Sequence, residues 1–415
     1  MAPGPRLKAR RASLRSLRHP QGQERIDRAL LLSFPAPNSY TGEDCAECHI
    51  HGGRAVLDAL FEALNSFPST RLAEPGEFTR RAFLNGRMDL TEAEGVADLI
   101  AAETAAQRRS ALDQADGALS RLYDGWRDRL LRQLAHIEAW LDFPDEDLPA
   151  SVMRDIGEQI RSLSDEITGH LNESRRGERL RDGVTIALVG APNAGKSTLL
   201  NALARRDVAI VSETPGTTRD LIEVAMDLGG YPVIVIDTAG LRDSGDTVEM
   251  EGIRRARERA GQADIVLHLS SACPTEQSTH PEPFSGTLEQ LVLHITTKTD
   301  LLWSGMSDAI TGHADLRVSA ATGDGLDLLL KRLSQLAADL ADQRGNPLPT
   351  RVRHVSGLKD ALQHLAQANE FGDADPPELM AEELRLAMTA LARITGSVDV
   401  EDLLDVIFRD FCIGK

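Results

Sequence analysis

The residues best placed to do chemistry are Gly190-Ala191-Pro192-Asn193-Ala194-Gly195-Lys196-Ser197, which have the spacing G-x-x-x-x-G-K-S. An apolar run, Val184 to Val189, precedes them, and a helix-like run, Ser197 to Ala204, follows. A strand, a glycine loop and a helix in that order ring a phosphate with backbone N–H groups, and the helix adds the positive end of its dipole. Asn193, Ala194, Gly195 and Thr198 belong to that cradle, Lys196 can reach the β- and γ-phosphates, and Ser197 can hold Mg²⁺. Asp237-Thr238-Ala239-Gly240 closes a second apolar run, Val233 to Ile236. The Asp there is placed to hold the water shell of the metal, and Gly240 can give its N–H to a γ-phosphate.

A third apolar run, Leu291 to Ile295, leads into Thr297-Lys298-Thr299-Asp300. A carboxylate at Asp300 can accept from N1–H and the 2-amino group of guanine, a donor pair adenine lacks, so the element selects GTP. Ser319-Ala320-Ala321, after Leu316-Arg317-Val318, is expected to set a backbone N–H on the guanine oxygen. Leu241 stands where Ras-like enzymes place a water-orienting Gln, so hydrolysis needs other equipment. Asn193 can offer an oxygen to a monovalent cation, and Ser212-Glu213-Thr214-Pro215-Gly216-Thr217-Thr218-Arg219-Asp220 can wrap K⁺ with carbonyls and hydroxyls. Thr218 can complete the Mg²⁺ shell. Glu249 is a candidate for orienting water, although the residues alone favour a solvated helix-start carboxylate.

These elements in this order resemble the translation-factor-like GTPases. Thr297 stands where that class has Asn, and the exchange predicts a lost amide brace and weaker nucleotide binding, with GTP selectivity kept by Asp300. The ends of the chain narrow the resemblance. Phe411-Cys412-Ile413-Gly414-Lys415, Phe34-Pro35-Ala36-Pro37-Asn38-Ser39-Tyr40-Thr41-Gly42-Glu43-Asp44 and the run from Pro75 to Arg87 are similar to the MnmE (TrmE) family of tRNA-modification GTPases. That resemblance implies an α+β folate-binding domain, then a helical domain into which an α/β P-loop GTPase domain is inserted. It implies a homodimer, and a partner, MnmG, forming a heterotetramer that adds an aminomethyl-type group to the wobble uridine of tRNA. The one-carbon unit would come from a tetrahydrofolate, 5-formyl or 5,10-methylene. Carried over by position, K⁺ falls on Asn193, Ser212, Thr214 and Thr217, Mg²⁺ on Ser197 and Thr218, and water orientation on Glu249. Folate falls on Glu47, Arg87 (where the family commonly has Lys) and Lys415, with Cys412 beside that pocket. The family opens with a further strand carrying an Arg, so the resemblance also implies a late start codon or a truncation here. The rival reading is a ribosome-assembly GTPase switch that binds rRNA; it explains the GTPase motifs but not the folate-like front or the tail.

The remaining sequence sets bounds. The 415 residues suggest two or three domains. No apolar run is long enough to span a membrane. The net charge of −18 argues against DNA or other nonspecific nucleic-acid binding, so tRNA must meet a local basic patch or a basic partner. Four cysteines are too few for a disulfide framework, which fits a cytoplasmic protein. Arg6, Lys8, Arg10, Arg11, Arg15 and Arg18 allow a transit peptide, but a strand pair, Ala12 to Arg18 and Ala29 to Phe34, is preferred. Cys45-Ala46-Glu47-Cys48-His49 spells a haem or zinc pattern, yet no export signal and no second ligand pair accompany it, so a half-buried strand is expected. Leu112, Leu119, Trp126, Leu130, Leu134, Ile137 and Leu141 form one helical stripe ended by Pro144, and Met380, Leu384, Met388, Leu391 and Ile394 another, closed by Gly396. The expected domains are 1–85 (folate), 86–182 (helical, first part), 183–340 (GTPase) and 341–415 (helical, second part, with the tail).

Overall fold

Alternating apolar residues build an antiparallel sheet at the N-terminus from β1 (Ser13–Arg18), β2 (Arg25–Phe34) and β3 (Cys45–His49), in that order. This is seen in a computed structural model, which describes all residues except 23, 143–150, 192, 207, 209, 211–222, 238–260, 273–289, 303–314, 344, 372–374, 399–403, 405, 406, 409, 410 and 412–415. Helix α1 (Arg54–Asn65) covers one face of the sheet, packing Leu60 on Leu17, Ala29 and Leu31. Cross-strand partners share a face, so the pairs Leu14–Leu30, Leu30–His49 and Leu32–Glu47 put those residues on the other side. The expected strand pair is present, with its second strand starting earlier, at Arg25.

Helices follow: α2 (Glu77–Leu84), α3 (Leu90–Ala101), α4 (Ala105–Ala115), α5 (Ala118–Asp142), α6 (Ser151–Asn172) and α7 (Ser174–Asp182). Capping boxes start α3 (Asp89 with Glu92) and α4 (Thr104 with Gln107). Gly117, at φ 81°, breaks the chain between α4 and α5. Leu112 therefore belongs to α4 and is 42% exposed, which corrects its assignment to the long stripe. The cause is that a seven-residue step stays in helical phase across a short left-handed turn. From Leu119 to Ile137 the stripe is buried as expected.

The next unit is a six-stranded sheet of order β5-β6-β4-β7-β8-β9. Its strands are β4 (Val184–Gly190), β5 (Glu223–Leu228), β6 (Tyr231–Asp237), β7 (Ile265–Ser271), β8 (Leu291–Thr297) and β9 (Leu316–Arg317). All pairings are parallel except that of β5 with β6. Parallel strands need apolar residues on both faces, and Val184, Ile186, Ala187 and Leu188 are all fully buried. Helices α8 (Lys196–Ala204) and α9 (Leu326–Ala341) pack into the same core through Leu199, Leu203, Leu329 and Leu333. Because β4, β6 and β8 run parallel, Gly190, Asp237 and Thr297 end them at one edge of the sheet, where open α/β sheets bind ligands.

Two more helices, α10 (Val352–Glu370) and α11 (Pro377–Thr395), return to the first helical segment. Leu119, Trp126 and Ile137 of α5, Ile160 and Ile167 of α6, Leu358 and Leu365 of α10, and Leu384 and Leu391 of α11 share one core. The helices before and after the six-stranded sheet thus form a single packed body. Gly396, at φ 82°, caps α11 as expected. Beyond it, Leu404, Phe408 and Phe411 pack on Leu90 and Ala93 of α3. At Gly76 a Cβ would stand 2.7 Å from the Phe408 carbonyl oxygen, so glycine lets the tail lie against the loop before α2.

Candidate nucleotide site

Gly190 ends β4 so close to β7 that a Cβ there would stand 2.3 Å from the Leu269 carbonyl oxygen. The loop then turns through Asn193 at φ 65° and Gly195 at φ 93°. Left-handed residues in such a loop swing backbone N–H groups toward a common side, which suits an anion. The Ala194 N–H donates to the Ala191 carbonyl at 3.1 Å, and the Leu199 N–H to that of Gly195 at 2.8 Å, which starts α8. Thr198 lies in the first turn of this helix.

Lys196 is buried, and its Nζ donates to the carbonyls of Gly190 at 2.6 Å and Ala191 at 3.0 Å. Burial pushes the pKa of this ammonium down, and Asp237 pulls it back. Phosphate oxygens are stronger partners for such a cation than these carbonyls. Ser197 Oγ donates to Oδ2 of the buried Asp237 at 2.6 Å. A hydroxyl and a carboxylate facing each other beside a phosphate loop are an oxygen-only donor set, which fits a hard cation such as Mg²⁺.

At the ends of β8 and β9, Thr297 and Ser319 make bonds within the protein. Thr297 is buried, and its hydroxyl lies 2.5 Å from the Ala194 carbonyl oxygen and 3.2 Å from that of Ser270. Its single proton goes to the nearer acceptor, tying β8 to the phosphate loop. A hydroxyl brace to the phosphate loop is thus present beside the expected loss of the amide. The loop lies close enough to the end of β8 for a short side chain to reach it, and a Cβ on Gly195 would meet Thr297 Oγ1 at 3.6 Å. In the Ser319-Ala320-Ala321 run, expected to set a backbone N–H on the guanine oxygen, the Ser319 N–H donates to the Asp324 carbonyl at 2.9 Å. Ser319 Oγ donates to Asp300 Oδ1 at 2.6 Å, and Thr322 Oγ1 donates to Asp324 Oδ2 at 2.7 Å, so this loop closes on itself and orients Asp300. Ala320 is half-buried and Ala321 exposed in the same loop. Lys298 turns at φ 58°, and its Cε lies 3.9 Å from where a Gly195 Cβ would be.

The structure thus brings together Ser197 with Asp237, Ala194 with Thr297, and Asp300 with Ser319. Reasoning from sequence missed the Ser270 carbonyl and the Thr322–Asp324 lock, since both depend on tertiary reach; the Thr-x-Asp spacing was the one signal for the second. Ser212, Glu213, Thr214, Pro215, Gly216, Thr217, Thr218, Thr238, Ala239, Gly240, Leu241, Glu249, Cys412 and Lys415 lie outside the described residues.

Two family models match the chain: the GTP-binding protein TrmE N-terminus over residues 2–87 and the MnmE helical domain over residues 90–412. A protein named tRNA modification GTPase MnmE from Rhodospirillum rubrum is 53% identical over 98% of this chain and 91% of its own length. Another of that name, from Parvibaculum lavamentivorans, is 51% identical over 98% of this chain and 91% of its own. Among solved structures, the G domain of the T. maritima FeoB iron transporter aligns at 27% identity over 37% of this chain and 98% of its own, with a TM-score of 0.26. The chain belongs to the MnmE family. Family membership and the geometry of the phosphate loop together make it a GTP hydrolase.

In the unit matched by the TrmE N-terminal model, the quoted segments around Tyr40 and Arg81 meet. Tyr40 Oη lies 2.9 Å from Thr79 Oγ1, Arg81 Nη1 donates to Glu43 at 2.9 Å, and Asn85 Nδ2 donates to the Thr41 carbonyl at 2.8 Å. Hydrogen bonds from Arg71 and Arg81 hold the Glu77 carboxyl down at about 2. Of the positions expected to take folate, Arg87 lays its stem on Gly42, where a Cβ would meet its Cγ at 3.2 Å. Glu47 is exposed on β3 and pairs with His49 at 3.1 Å. Cys45 Sγ lies 3.1 Å from Thr41 Oγ1, and His51 pairs with Asp27 at 2.8 Å. Among the described residues no group of three or more His, Cys, Asp or Glu is placed to hold a metal.

Proposed function

We propose that GTP hydrolysis by this chain serves the modification of tRNA at the wobble uridine. The observation that carries the reading is the match of the MnmE helical model across residues 90–412, with relatives named tRNA modification GTPases covering 98% of the chain. The G domain is an insert in the helical domain, a reading supported by the single core shared by α5, α6, α10 and α11. Ser197 and Thr218 hold Mg²⁺ and Asp237 its water shell, and the ion neutralises charge on the β- and γ-phosphates when bound. Lys196 binds those phosphates, and Asp300, oriented by Ser319, selects guanine. Asn193 with Ser212, Thr214 and Thr217 binds K⁺, and Glu249 orients the attacking water.

The N-terminal unit binds a tetrahydrofolate through Glu47, Arg87 and Lys415, with Cys412 nearby. It also forms the homodimer, a reading supported by Leu14 and Leu30, paired on the face away from α1 and 51% and 45% exposed. MnmG completes a heterotetramer in the cytoplasm, and no described helix is long and apolar enough to cross a membrane. Mass spectrometry of tRNA nucleosides tests the reading. A strain lacking this gene should lose the aminomethyl-type modification at C5 of the wobble uridine and regain it when the gene is restored. An unchanged nucleoside profile in the deletion strain refutes it. Purified protein should bind 5-formyl-tetrahydrofolate, which a ribosome-assembly switch would not do.

A further inference from the structure

We propose that a strip of arginine and lysine along the β1 edge of the N-terminal sheet is where this acidic protein meets the phosphate backbone of RNA; the choice of tRNA as the RNA rests on the function proposed above. The net charge of the chain is −18, so electrostatic attraction to RNA must be local. Residues 1–28 run against the average: Arg6, Lys8, Arg10, Arg11, Arg15, Arg18, Arg25 and Arg28 face only Glu24 and Asp27.

The fold gathers these cations around β1 and the start of β2, with Arg15 on the face that carries α1 and Arg28 on the other. The Arg18 N–H donates to the Met1 carbonyl at 2.8 Å, and the Arg10 N–H to that of Ser33 at 2.8 Å. The first ten residues therefore run back along β1 from its Arg18 end to its Ser13 end. Arg15 Nη2 donates to the Pro5 carbonyl at 3.1 Å and fastens this segment to the strand. In the sheet, Arg18 pairs with Arg25 and Ser16 with Arg28, so Arg25 and Arg28 extend the strip at the β1–β2 end. Arg6, Lys8, Arg11, Arg25 and Arg28 are exposed. A six-residue strand spans about 20 Å, enough to follow several phosphates of one backbone.

Glu24 is an exposed acid beside Arg25, while three other nearby acids are occupied elsewhere. Asp27 accepts from the backbone N–H of His51 at 2.9 Å and pairs with its Nδ1. Asp44 accepts from the Ala36 N–H at 2.8 Å, and Glu43 pairs with Arg81. Arg28, paired with Ser16, shares the face of the Leu14–Leu30 pair, whereas the segment that carries Arg6, Lys8 and Arg11 follows the β1 edge.

The test is binding of an unmodified tRNA transcript, read by fluorescence anisotropy between 50 and 200 mM KCl (roughly the range over which phosphate contacts weaken strongly). The variant carries Arg6→Gln, Lys8→Gln, Arg11→Gln, Arg25→Gln and Arg28→Gln. A charge-matched control carries Arg132→Gln, Arg154→Gln, Lys331→Gln, Arg332→Gln and Lys359→Gln, at exposed positions elsewhere. Each cation on a phosphate contributes roughly 0.7–0.9 to the slope of log K against log salt. The variant should bind at least ~10-fold more weakly with a slope flatter by about 2–4, keep its GTP turnover, and differ from the control, which should bind as the parent does. Equal loss in variant and control, no loss in either, or a preference of the parent for phosphatidylserine vesicles over the transcript overturns the proposal. The nucleoside profile of the deletion strain is read separately, so an intact role in tRNA modification with an unaffected variant sinks the strip alone.

Discussion

At the scale of single residues, the nucleotide site is held by short side chains whose reach decides what they do. Thr297 braces the phosphate loop through one hydroxyl proton on the Ala194 carbonyl. Thr297→Val keeps the shape and removes that proton, leaving a buried carbonyl without its partner, at a cost of about 1–3 kcal/mol. GDP titration with a fluorescent analogue should show the dissociation constant rising by about tenfold. Thr297→Asn, with a longer amide donor, should bind about as well as the parent. An unchanged constant in the Val variant would remove the brace from the account. Asp300 is set by Ser319 Oγ to present its carboxylate outward. Asp300→Asn turns one acceptor into a donor facing the donors of guanine, so GTP should weaken by roughly 2–4 kcal/mol while xanthosine triphosphate gains. Equal loss for both nucleotides would show that the variant disturbs the loop rather than the choice of base.

At the scale of elements, the helical body is pinned by a buried charge centre between α3 and α10. Glu94 is 1% exposed and takes Arg353 Nε at 2.6 Å and Nη2 at 2.7 Å, with His354 Nε2 at 2.9 Å. Burial works against this charge, and His354 and the Arg353 fork more than offset it, holding the carboxyl well below the usual carboxylate range. Arg353→Met strands the carboxylate and should lower stability by about 3–5 kcal/mol in a urea titration, with part recovered when Glu94→Gln is added. A loss below 1 kcal/mol (about the worth of an exposed pair) would contradict the burial argument. The same body holds His170, whose Nε2 lies 3.1 Å from Tyr123 Oη. Burial, with His354 adding to it, lowers its pKa from 6.5 to about 4. Its folded value lies below the unfolded one, so its contribution is whole above pH ~6.5 and is lost as pH falls toward ~4, by up to roughly 3 kcal/mol. His170→Gln should flatten stability against pH across that window, and an identical slope would show that other groups set it. Neither centre was legible in the sequence: Glu94 and Arg353 lie 259 residues apart, and no local pattern joins them. The phosphate loop was legible because its chemistry is contiguous. The helix stripes were legible wherever the helix ran unbroken, as from Leu119 to Ile137, and failed at Leu112 because Gly117 breaks the chain without disturbing the apolar spacing.

At the scale of the whole molecule, the chain leaves the helical body after α7 and returns to it at Thr350 and Arg351, and both crossings meet at one carboxylate. Arg351 Nη2 lies 2.6 Å from Asp98 Oδ1 and Arg181 Nε 3.7 Å from the same atom. Arg181 Nη1 also donates to the Thr350 carbonyl at 3.3 Å, and Gln107 Nε2 to that of Arg181 at 2.8 Å. A cavity of about 290 Å³ lies beside this knot, lined by Asp98, Arg181 and Arg351 and closed on one side by Ile407 and Phe411 of the tail. The six-stranded sheet is therefore joined to the helices by a charge clamp next to the tail, in addition to the contact of the Gly230 carbonyl with the Ala106 N–H at 2.9 Å. Asp98→Asn preserves shape and removes the charge both guanidinium groups share. Hydrogen exchange should quicken in peptides covering residues 180–185 and 348–353, because opening there needs less free energy once the clamp is neutral. GTP affinity should stay within about twofold, since Asp98 touches none of Lys196, Ser197, Asp237 or Thr297. Unchanged exchange at both crossings would show that packing alone fixes the join. A large loss of GTP affinity with unchanged exchange would instead mean that Asp98 acts on the nucleotide site without loosening the connection.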